Sequence, residues 1–364
     1  MMRIGVDARE LLGSATGVGR YLGELLKRWA ARPDRERRRF VLYAPGPVPL
    51  DLPPDAAEIR VIGGKGSGRG TWWEQTSLGH AIRSDRPNVF FAPGYTAPLG
   101  TTVPLAVTIH DISFVAHPEW FRAGEGLRRR WLTRRAAASA SVIFTDSEFS
   151  KRELETHFRT EGARIRVVAP GVTPRTLPGP APRREPLVLF VGSLFNRRRL
   201  PDLIEAFARA ASALPDSRLV IVGDDRTWPP QDLERIAAHH GVGGRTRFMS
   251  YVADEELAGL YAQARVFAFL SEYEGFGLTP LEALAAGVPP VVLDTPVARE
   301  VYRDAAVFVP AGDIGAAADA LRELLINPQA AAPIVARAPA LLRQYSWDDA
   351  AERTLAGIES VARS

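Results

Sequence analysis

The chain has 364 residues, of which 46% are hydrophobic and 24% charged, and its formal net charge is +4. This composition is typical of globular proteins and excludes a largely disordered or fibrous chain. Cysteine is absent, which excludes disulfides, thiolate metal ligands and a cysteine nucleophile. No apolar run approaches the ~20 residues that cross a bilayer, and the first residues lack a signal-peptide pattern. We therefore expect a cytoplasmic protein of about two domains.

Short apolar runs alternate with amphipathic stretches along the first half of the chain. This alternation predicts a parallel sheet covered by helices on both faces. The predicted strands are residues 4–6, 40–43, 89–92, 105–109, 142–145 and 166–169, and predicted helices include 19–31, 127–138 and 147–157.

A proline-rich stretch then interrupts the pattern, with five prolines between residues 174 and 186. Proline fixes φ and lacks a backbone donor, so this stretch is predicted to be an extended linker. The alternation resumes after it, with strands at 187–191, 219–222, 246–248, 266–270, 290–293 and 306–309 and helices at 201–213, 230–240, 254–264, 280–286 and 313–325. We therefore expect two doubly wound α/β domains, 1–173 and 187–345, facing a cleft in which ligands bind at the carboxyl ends of the strands.

Charge is distributed unevenly, with a balance of +9 over residues 1–177 and −5 over residues 178–364. The most basic stretch carries six arginines, Arg122, Arg128, Arg129, Arg130, Arg134 and Arg135. It is either a solvated helix face or a surface for an anionic partner, such as membrane phospholipid or a phosphorylated acceptor. No aromatic–basic interleaving or recognition motif supports a nucleic-acid partner.

Two carboxylates, Glu274 and Glu282, follow the predicted strand 266–270 and are separated by seven residues. Thr279, Pro280 and Glu282 occupy the positions of a capping box at the start of a helix, so Glu282 has a purely structural interpretation. Glu274 lies instead in the glycine-containing loop before that helix, where backbone amides approach a ligand closely. A carboxylate there is suited to accept hydrogen bonds from sugar hydroxyls.

The segment from Ser271 to Pro289 resembles the E-x7-E signature of the retaining glycosyltransferases of family 4 (group 1), which have the GT-B fold. The resemblance implies that Glu274 holds hydroxyls of a donor hexose and that Glu282 holds the ribose of its nucleotide. It also implies that the amides of Phe276, Gly277 and Leu278 face the donor. Ser346 and Trp347 resemble the start of a last helix, 346–364, that crosses back to the first domain in GT-B enzymes.

Arg197 and Arg198 follow the predicted strand 187–191, within the sequence Val191-Gly-Ser-Leu-Phe-Asn-Arg-Arg-Arg. Adjacent arginines can be solvated charge, but a pyrophosphate needs such cationic, bidentate donors. The resemblance implies that the two arginines bind the donor diphosphate and that Ser193 contacts the donor. Arg198 replaces the lysine that is usual in the family, and the two side chains differ in geometry.

Three residues of the first half complete the predicted site. Gly17 and Gly19 precede a helix without the spacing of a dinucleotide fingerprint, and the resemblance implies that their amides lie near the donor phosphate. His110 follows the strand 105–109, and the sequence from Val107 to Phe121 resembles members that use mannose- or rhamnose-type donors. The resemblance implies that His110 lies near the reacting centre, while a lone histidine is also commonly structural. No metal-ligand spacing accompanies it.

The resemblance therefore implies a retaining glycosyltransferase that moves a hexose from a nucleotide diphosphate sugar to a hydroxyl acceptor. GDP-mannose is the first choice of donor, with GDP- or dTDP-deoxyhexoses and UDP-sugars behind it. The predicted pathways are glycan, polysaccharide or glycolipid synthesis, without a metal or other cofactor. Its acceptor is lipid-linked, a growing glycan or a small molecule, and the basic stretch suggests peripheral contact with the inner face of the membrane. The alternatives are a nucleotide-sugar epimerase or a glycoside phosphorylase of the same fold, or a non-catalytic sugar-nucleotide-binding protein.

Overall fold

The computed structural model describes residues 1–13, 17–53, 56–63, 70–174, 183–250 and 252–363. They form two compact units. The first unit comprises Met1–Val115, Gly124–Gly171 and Tyr345–Ser364, and the second comprises Ala116–Ala123 and Val172–Gln344. Most of the predicted linker, residues 175–182, lies outside the described residues. Residues 116–123 fall within the predicted first domain but cluster with the second unit.

The first unit is built on a parallel sheet with the strand order β3-β2-β1-β4-β5-β6-β7. Its central strands are buried runs of apolar residues, as expected for a sheet covered on both faces. The strands are β1 (Met2–Asp7), β2 (Arg38–Ala44), β3 (Ala57–Val61), β4 (Val89–Ala92), β5 (Leu105–Thr108), β6 (Val142–Thr145) and β7 (Ile165–Val167). The order reverses between β1 and β4, which creates a crevice at the carboxyl ends of those two strands.

Helices cover this sheet, and a π-helical turn (Glu74–Leu78) joins two of them. The helices in this part of the chain are α1 (Gly17–Ala31), α2 (Thr71–Trp73), α3 (Gly79–Asp85), α4 (Ser113–Ala116), α5 (Ala123–Ser139) and α6 (Glu148–Phe158). Ser147 caps α6, because its side chain accepts a hydrogen bond from the Ser150 amide. This cap confirms the predicted start of that helix.

The last helix, α14 (Trp347–Ala362), belongs to the first unit although it follows the second along the chain. Ser346 caps it, and Trp347 lies in the same apolar core as Trp29 of α1. The Trp29 indole donates a 2.8 Å hydrogen bond to the carbonyl of Ala351. At Gly171 a Cβ atom would lie 2.3 Å from the backbone nitrogen of Trp347, so the two segments meet at backbone distance.

The second unit repeats the architecture with a parallel sheet of order β10-β9-β8-β11-β12-β13. Its strands are β8 (Leu187–Val191), β9 (Arg218–Val222), β10 (Thr246–Met249), β11 (Val266–Phe269), β12 (Pro290–Leu293) and β13 (Val307–Val309). Its helices are α7 (Leu200–Ala210), α8 (Leu233–His239), α9 (Asp254–Gln263), α10 (Leu278–Ala285), α11 (Pro296–Tyr302), α12 (Ile314–Ile326) and α13 (Ala332–Leu342). The two parallel, doubly wound sheets confirm the predicted fold class.

Two arginines bind helix ends at the amino edge of the second sheet. Arg184 donates 2.6 Å hydrogen bonds to the carbonyls of Ala264 and Ala286, which follow α9 and α10. Arg265 donates at 2.6 Å to Leu325 in the last turn of α12. These carbonyls lack partners inside their helices and carry the negative end of the helix dipole, so the guanidinium groups satisfy them.

Candidate active site

The second sheet reverses its strand order between β8 and β11. The loop after β8 carries Arg197 and Arg198, and the loop after β11 carries Glu274. Ligands of doubly wound sheets bind in the crevice at such a reversal, beyond the carboxyl ends of the strands. Three of the predicted site residues are therefore brought together at the edge where a ligand is expected.

Glu274 is the centre of a polar cluster in this crevice. Arg198 forms an ion pair with its Oε1, Arg197 Nε lies 3.8 Å from the same oxygen, and Ser271 donates a hydrogen bond to it. The side chains of the two arginines and Glu274 are only 10–13% exposed. Each guanidinium also lies 4.4 Å from a phenylalanine ring, Arg197 over Phe195 and Arg198 over Phe269. The cluster thus holds two cations around one carboxylate, with one face of each cation packed on an aromatic ring.

The loop from Glu274 enters α10 through Gly277, which has a φ of +90°. A residue with a side chain rarely adopts this left-handed conformation. Leu278 is the first helical residue, so its amide is among the donors that a helix leaves unpaired at its start. Phe276 and Leu278 thus flank the turn, and the positive end of α10 lies on the same loop as Glu274.

The predicted capping box is wrong. The helix begins at Leu278 with Gly277 as its N-cap, and no side chain caps it, because the left-handed turn at Gly277 starts the helix ahead of Thr279. Glu282 therefore lies in the second turn, where it is 4% exposed and accepts a 3.2 Å hydrogen bond from the Tyr261 hydroxyl. Its carboxylate is held within the second unit rather than by the start of α10.

Ser193 lies in the loop between β8 and the two arginines. Its carbonyl accepts a 3.0 Å hydrogen bond from the amide of Phe195. The loop begins at Gly192, whose carbonyl oxygen would lie 2.0 Å from a Cβ atom at Gly223. The backbones after β8 and β9 are therefore packed closely beneath the arginine loop.

His110 lies at the carboxyl edge of the first sheet with both ring nitrogens in hydrogen bonds. Its Nδ1 lies 2.8 Å from Asp146 Oδ2, and its Nε2 lies 3.0 Å from the Pro93 carbonyl. The Pro93 carbonyl accepts, and Asp146 accepts when it is ionised, so the arrangement favours a doubly protonated imidazolium ring. Burial lowers the pKa of His110, but the charge and hydrogen bond of Asp146 outweigh it, and the net shift is upward. The histidine links the loops after β4, β5 and β6.

Gly17 and Gly19 lie in the first turn of α1, the former exposed and the latter buried. The residues before them, 14–16, lie outside the described residues. Val18 between them approaches the loop after β4, where a Cβ atom at Gly94 would lie 3.0 Å from its Cγ1. The start of α1 is thus next to the strand reversal of the first sheet.

A buried ionic cluster at the carboxyl end of β1 was not predicted. Arg9 Nη2 donates a 2.6 Å hydrogen bond to Glu74 Oε1, and Arg9 Nε lies 3.1 Å from Asp7 Oδ2. Thr96, from the loop after β4, donates to the same Glu74 oxygen at 2.6 Å. Burial raises the pKa of Asp7 to about 6, with Glu74 adding to the rise and Arg9 opposing it. The only sequence signal was an Asp and an Arg directly after an apolar run, since Glu74 is distant in the chain.

The six arginines of the basic stretch are divided between the two units. Arg122 belongs to the segment that clusters with the second unit, where its guanidinium lies 4.8 Å from the ring of Trp228. In the same segment His117 stacks on Trp120 and meets the edge of Tyr273. The other five lie on α5 in the first unit; Arg128, Arg129, Arg134 and Arg135 are exposed and Arg130 is half-buried.

Comparison with protein-family models gives one match for each half of the chain. A model described as glycosyl transferases group 1 matches residues 178–340, and one described as glycosyltransferase family 4 matches residues 15–176. The chain belongs to the family 4 (group 1) glycosyltransferases. The E-x7-E carboxylates and the arginine pair lie within the match of the group 1 model.

Individual relatives of this glycosyltransferase point the same way. It is 26% identical over 365 residues to O-antigen chain mannosyltransferase B of Escherichia coli, covering 93% of this chain and 95% of that protein. It is 30% identical over 193 residues to a GDP-mannose:cellobiosyl-diphosphopolyprenol alpha-mannosyltransferase of Xanthomonas campestris, covering 51% of this chain and 50% of that protein. The fold matches that of HepE from Anabaena in complex with UDP and glucose, with a TM-score of 0.74, 19% identity and coverage of 99% and 100%. These matches confirm the GT-B fold.

No helix among the described residues of this glycosyltransferase is long and apolar enough to cross a membrane.

Proposed function

We propose that this glycosyltransferase is a retaining, metal-independent enzyme that transfers mannose from GDP-mannose to a hydroxyl acceptor. The observation that carries the proposal is the cluster of Arg197, Arg198 and Glu274 at the strand reversal of the second sheet. Two guanidinium groups suit a diphosphate, and a carboxylate beside them suits sugar hydroxyls. The mannosyltransferases among its relatives support mannose as the sugar.

In this proposal the arginines exchange partners when the donor binds. Arg198 forms an ion pair with Glu274 in the structure. A diphosphate carries more negative charge than a carboxylate, so the bound donor displaces Glu274 from the Arg198 guanidinium. Glu274 then accepts hydrogen bonds from the hexose. Glu282 binds the ribose with the lone pairs that Tyr261 does not use, since a carboxylate has about four acceptor sites. Ser193 and the amides of Phe276, Gly277 and Leu278 complete the donor contacts.

Charge development at the leaving diphosphate explains how the cluster accelerates transfer. As the bond from C1 of the sugar to the phosphate oxygen breaks, negative charge accumulates on the diphosphate. Arg197 and Arg198 stabilise it in a largely buried site, where such interactions are strong. The departing phosphate oxygen accepts the proton of the acceptor hydroxyl, whose oxygen bonds to C1 on the same face. Configuration is thereby retained.

The first unit supplies the acceptor side and three further donor contacts in this proposal. The amides of Gly17 and Gly19 face the donor phosphate. His110, held by Asp146 and Pro93, lies near the reacting sugar and contributes a positive charge there when its ring is protonated. It serves as a positioning residue rather than a proton acceptor, because both ring nitrogens are already engaged by Asp146 and Pro93.

The test is a thermal-shift panel of GDP, UDP, dTDP and ADP sugars, followed by kinetics on the donor that binds. A ligand at a hundred times its Kd stabilises its protein by ~2.7 kcal/mol. We expect GDP-mannose to shift the wild type and to shift Glu274→Ala much less. In kinetics, Glu274→Ala and Arg197→Ala should each lower kcat/KM more than tenfold, while Glu256→Ala, an exposed glutamate of α9, should not. Near-wild-type turnover of either site variant would refute the assignment.

The same assay separates the alternatives. A transferase requires an acceptor alcohol, whereas an epimerase converts the nucleotide sugar alone and a phosphorylase requires inorganic phosphate. A binding protein shows the thermal shift with no turnover under any of these conditions. Retention is read from the anomeric configuration of the isolated product.

We also propose that α5 contacts an anionic membrane surface at the inner face of the membrane, where a lipid-linked acceptor is presented. Its exposed face carries Leu127 (67% exposed) and Trp131 (49% exposed) among the basic residues, and Arg135 lies 5.7 Å from the Trp131 ring. Apolar and aromatic side chains between cations are typical of interfacial helices.

Vesicle binding tests this surface. Each basic residue near an anionic bilayer contributes about 1 kcal/mol, so Arg134→Gln/Arg135→Gln should weaken binding to anionic vesicles by roughly 30-fold. The control is Arg209→Gln/Arg322→Gln, two exposed arginines of the second unit, which should bind like the wild type. Binding should fall steeply with salt. Equal binding to neutral vesicles would contradict the proposal.

A further inference from the structure

Tyr302 is the last residue of α11 and reaches the loop that carries Glu274. Its hydroxyl donates a 2.9 Å hydrogen bond to the carbonyl of Gly277, and the residue is only 2% exposed. Neither the sequence motifs nor the family match assigns it a role. The short helix α11, which ends at Tyr302, was not predicted from the sequence.

The contact between Tyr302 and Gly277 leaves no spare room. A Cβ atom at Gly277 would lie 2.1 Å from the Tyr302 hydroxyl oxygen and 3.9 Å from Cγ of Glu274. Gly277 is thus constrained twice, by its φ of +90° and by the tyrosine. Tyr302, Gly277 and Glu274 form one packed group, so a shift of the first is transmitted to the other two.

The helix that carries Tyr302 is itself firmly anchored. Thr295 caps its start by accepting from the amide of Ala298 at 3.2 Å. Arg299 then binds both oxygens of Asp294, each at 2.7 Å. A small cavity beside Glu274 is lined by residues of α11, including Ala298 and Tyr302, together with Glu274 and Phe276. α11 therefore forms one wall of the space next to the carboxylate.

The geometry of the Gly277–Leu278 peptide determines which group the Tyr302 hydrogen bond orients. The carbonyl of Gly277 and the amide N–H of Leu278 belong to one planar trans peptide, in which the two groups point in opposite directions. Fixing the carbonyl on Tyr302 therefore fixes the Leu278 N–H so that it points away from Tyr302. That N–H is the first of α10 and has no acceptor within the helix.

We propose that Tyr302 is a positioning residue for the donor: its hydroxyl orients the Gly277–Leu278 peptide so that the Leu278 amide and Glu274 together hold the sugar end of a nucleotide sugar. The ligand in this proposal rests on the proposed function, while the orienting hydrogen bond does not. Arg197, Arg198 and Glu282, assigned to the nucleotide end, do not depend on this peptide. The inference therefore predicts a loss that is selective for the sugar.

The experiment compares Tyr302→Phe with Tyr43→Phe. Tyr43 is a buried tyrosine of the first unit whose hydroxyl donates one 2.8 Å hydrogen bond to Asp85, so each variant loses one hydroxyl of the same kind. Titrations measure the Kd of GDP-mannose and of GDP alone, and kinetics measure KM and kcat. Hydrogen exchange of peptides spanning residues 271–284 is followed on the protein without added nucleotide.

We expect Tyr302→Phe to raise the Kd and KM for the nucleotide sugar about fivefold, the value of one ordinary hydrogen bond, and to change the Kd of GDP less than twofold. Exchange in residues 271–284 should accelerate in Tyr302→Phe and stay at the wild-type rate in Tyr43→Phe. An equal loss of GDP and GDP-mannose affinity, or unchanged exchange, would overturn the proposal. If the wild type binds no nucleotide sugar, the proposed function fails, and the exchange rates still decide whether Tyr302 orients the peptide.

Discussion

The ion pair between Arg198 and Glu274 is open to a double-mutant cycle that separates its contribution to stability from its contribution to catalysis. Glu274→Gln leaves two buried guanidinium groups without their carboxylate, and Arg198→Met leaves the carboxylate with Ser271 and the more distant Arg197. The double variant loses one positive and one negative charge, so the net charge of the cluster equals that of the wild type.

The side chains of the pair are 11% and 13% exposed, which makes this a largely buried ion pair. Removing one partner of a buried pair costs ~3–5 kcal/mol, and the residual exposure favours the lower end. At roughly 2–4 °C per kcal/mol for a domain of this size, each single variant should lower the Tm of the second unit by ~6–12 °C. The double variant should recover part of that loss, because it restores the net charge of the cluster, while Arg197 still lacks the Glu274 carboxylate.

Calorimetry measures the transition of each unit, and a transferase assay is run on all four proteins below the lowest Tm. We expect the double variant to be stable and inactive, with kcat/KM more than tenfold below the wild type. Stability losses that simply add in the double variant would refute the coupling of Arg198 and Glu274. Activity that returns together with stability would show that the pair is structural and that the donor binds elsewhere.

Three further predictions concern the first unit. The pKa of Asp7 is about 6 in the folded protein and near 3.8 in the unfolded chain, so ionisation of Asp7 destabilises the fold. As the pH rises from about 4 to 6, the free energy of unfolding of the wild type should fall by on the order of 3 kcal/mol relative to that of Asp7→Asn. Urea-unfolding free energies that change in parallel with pH for the two proteins would contradict this. His110 should titrate above 6.5 by NMR, with its stabilisation present below pH 6.5 and lost as the pH rises through its folded pKa; a pKa below 6.5 would exclude the imidazolium. Gly171→Ala should lower the Tm of the first unit, because its Cβ would lie 2.3 Å from Trp347, and an unchanged melt would show that the backbone yields there.

The buried strands could be predicted because each is a run of apolar residues bounded by polar ones, and Val89–Ala92 and Val142–Thr145 match the predicted bounds. Strand β3 was missed, since it lies at the sheet edge and exposes Ile59 and Val61 by 45% and 53%. Its sequence therefore lacks the signal of a strand buried on both faces. Short helices such as α11 were missed for a related reason, because seven residues hold too few turns to show a helical period.

The two carboxylates predicted for the second-unit site could be singled out in the sequence because the spacing between Glu274 and Glu282 is local. The start of α10 was misjudged because Thr279 and Pro280 fit a capping box, whereas the left-handed turn at Gly277 decides where the helix begins. Asp146 and Tyr302 gave no local signal. Asp146 contacts His110, which is 36 positions away, and Tyr302 contacts Gly277, which is 25 positions away. Only the folded chain brings these residues together.

The close approach of Gly171 to Trp347 has a consequence for protein engineering. The chain leaves the first unit at Gly171 and returns at Tyr345, so the entry and exit of the intervening segment lie side by side. Residues 172–344, which make up all of the second unit except residues 116–123, are thus inserted between two parts of the first unit, and a short connection could replace them. The corresponding segments of related glycosyltransferases could be exchanged at these two positions, whereas a simple fusion of halves would leave α14 without the core that it packs against.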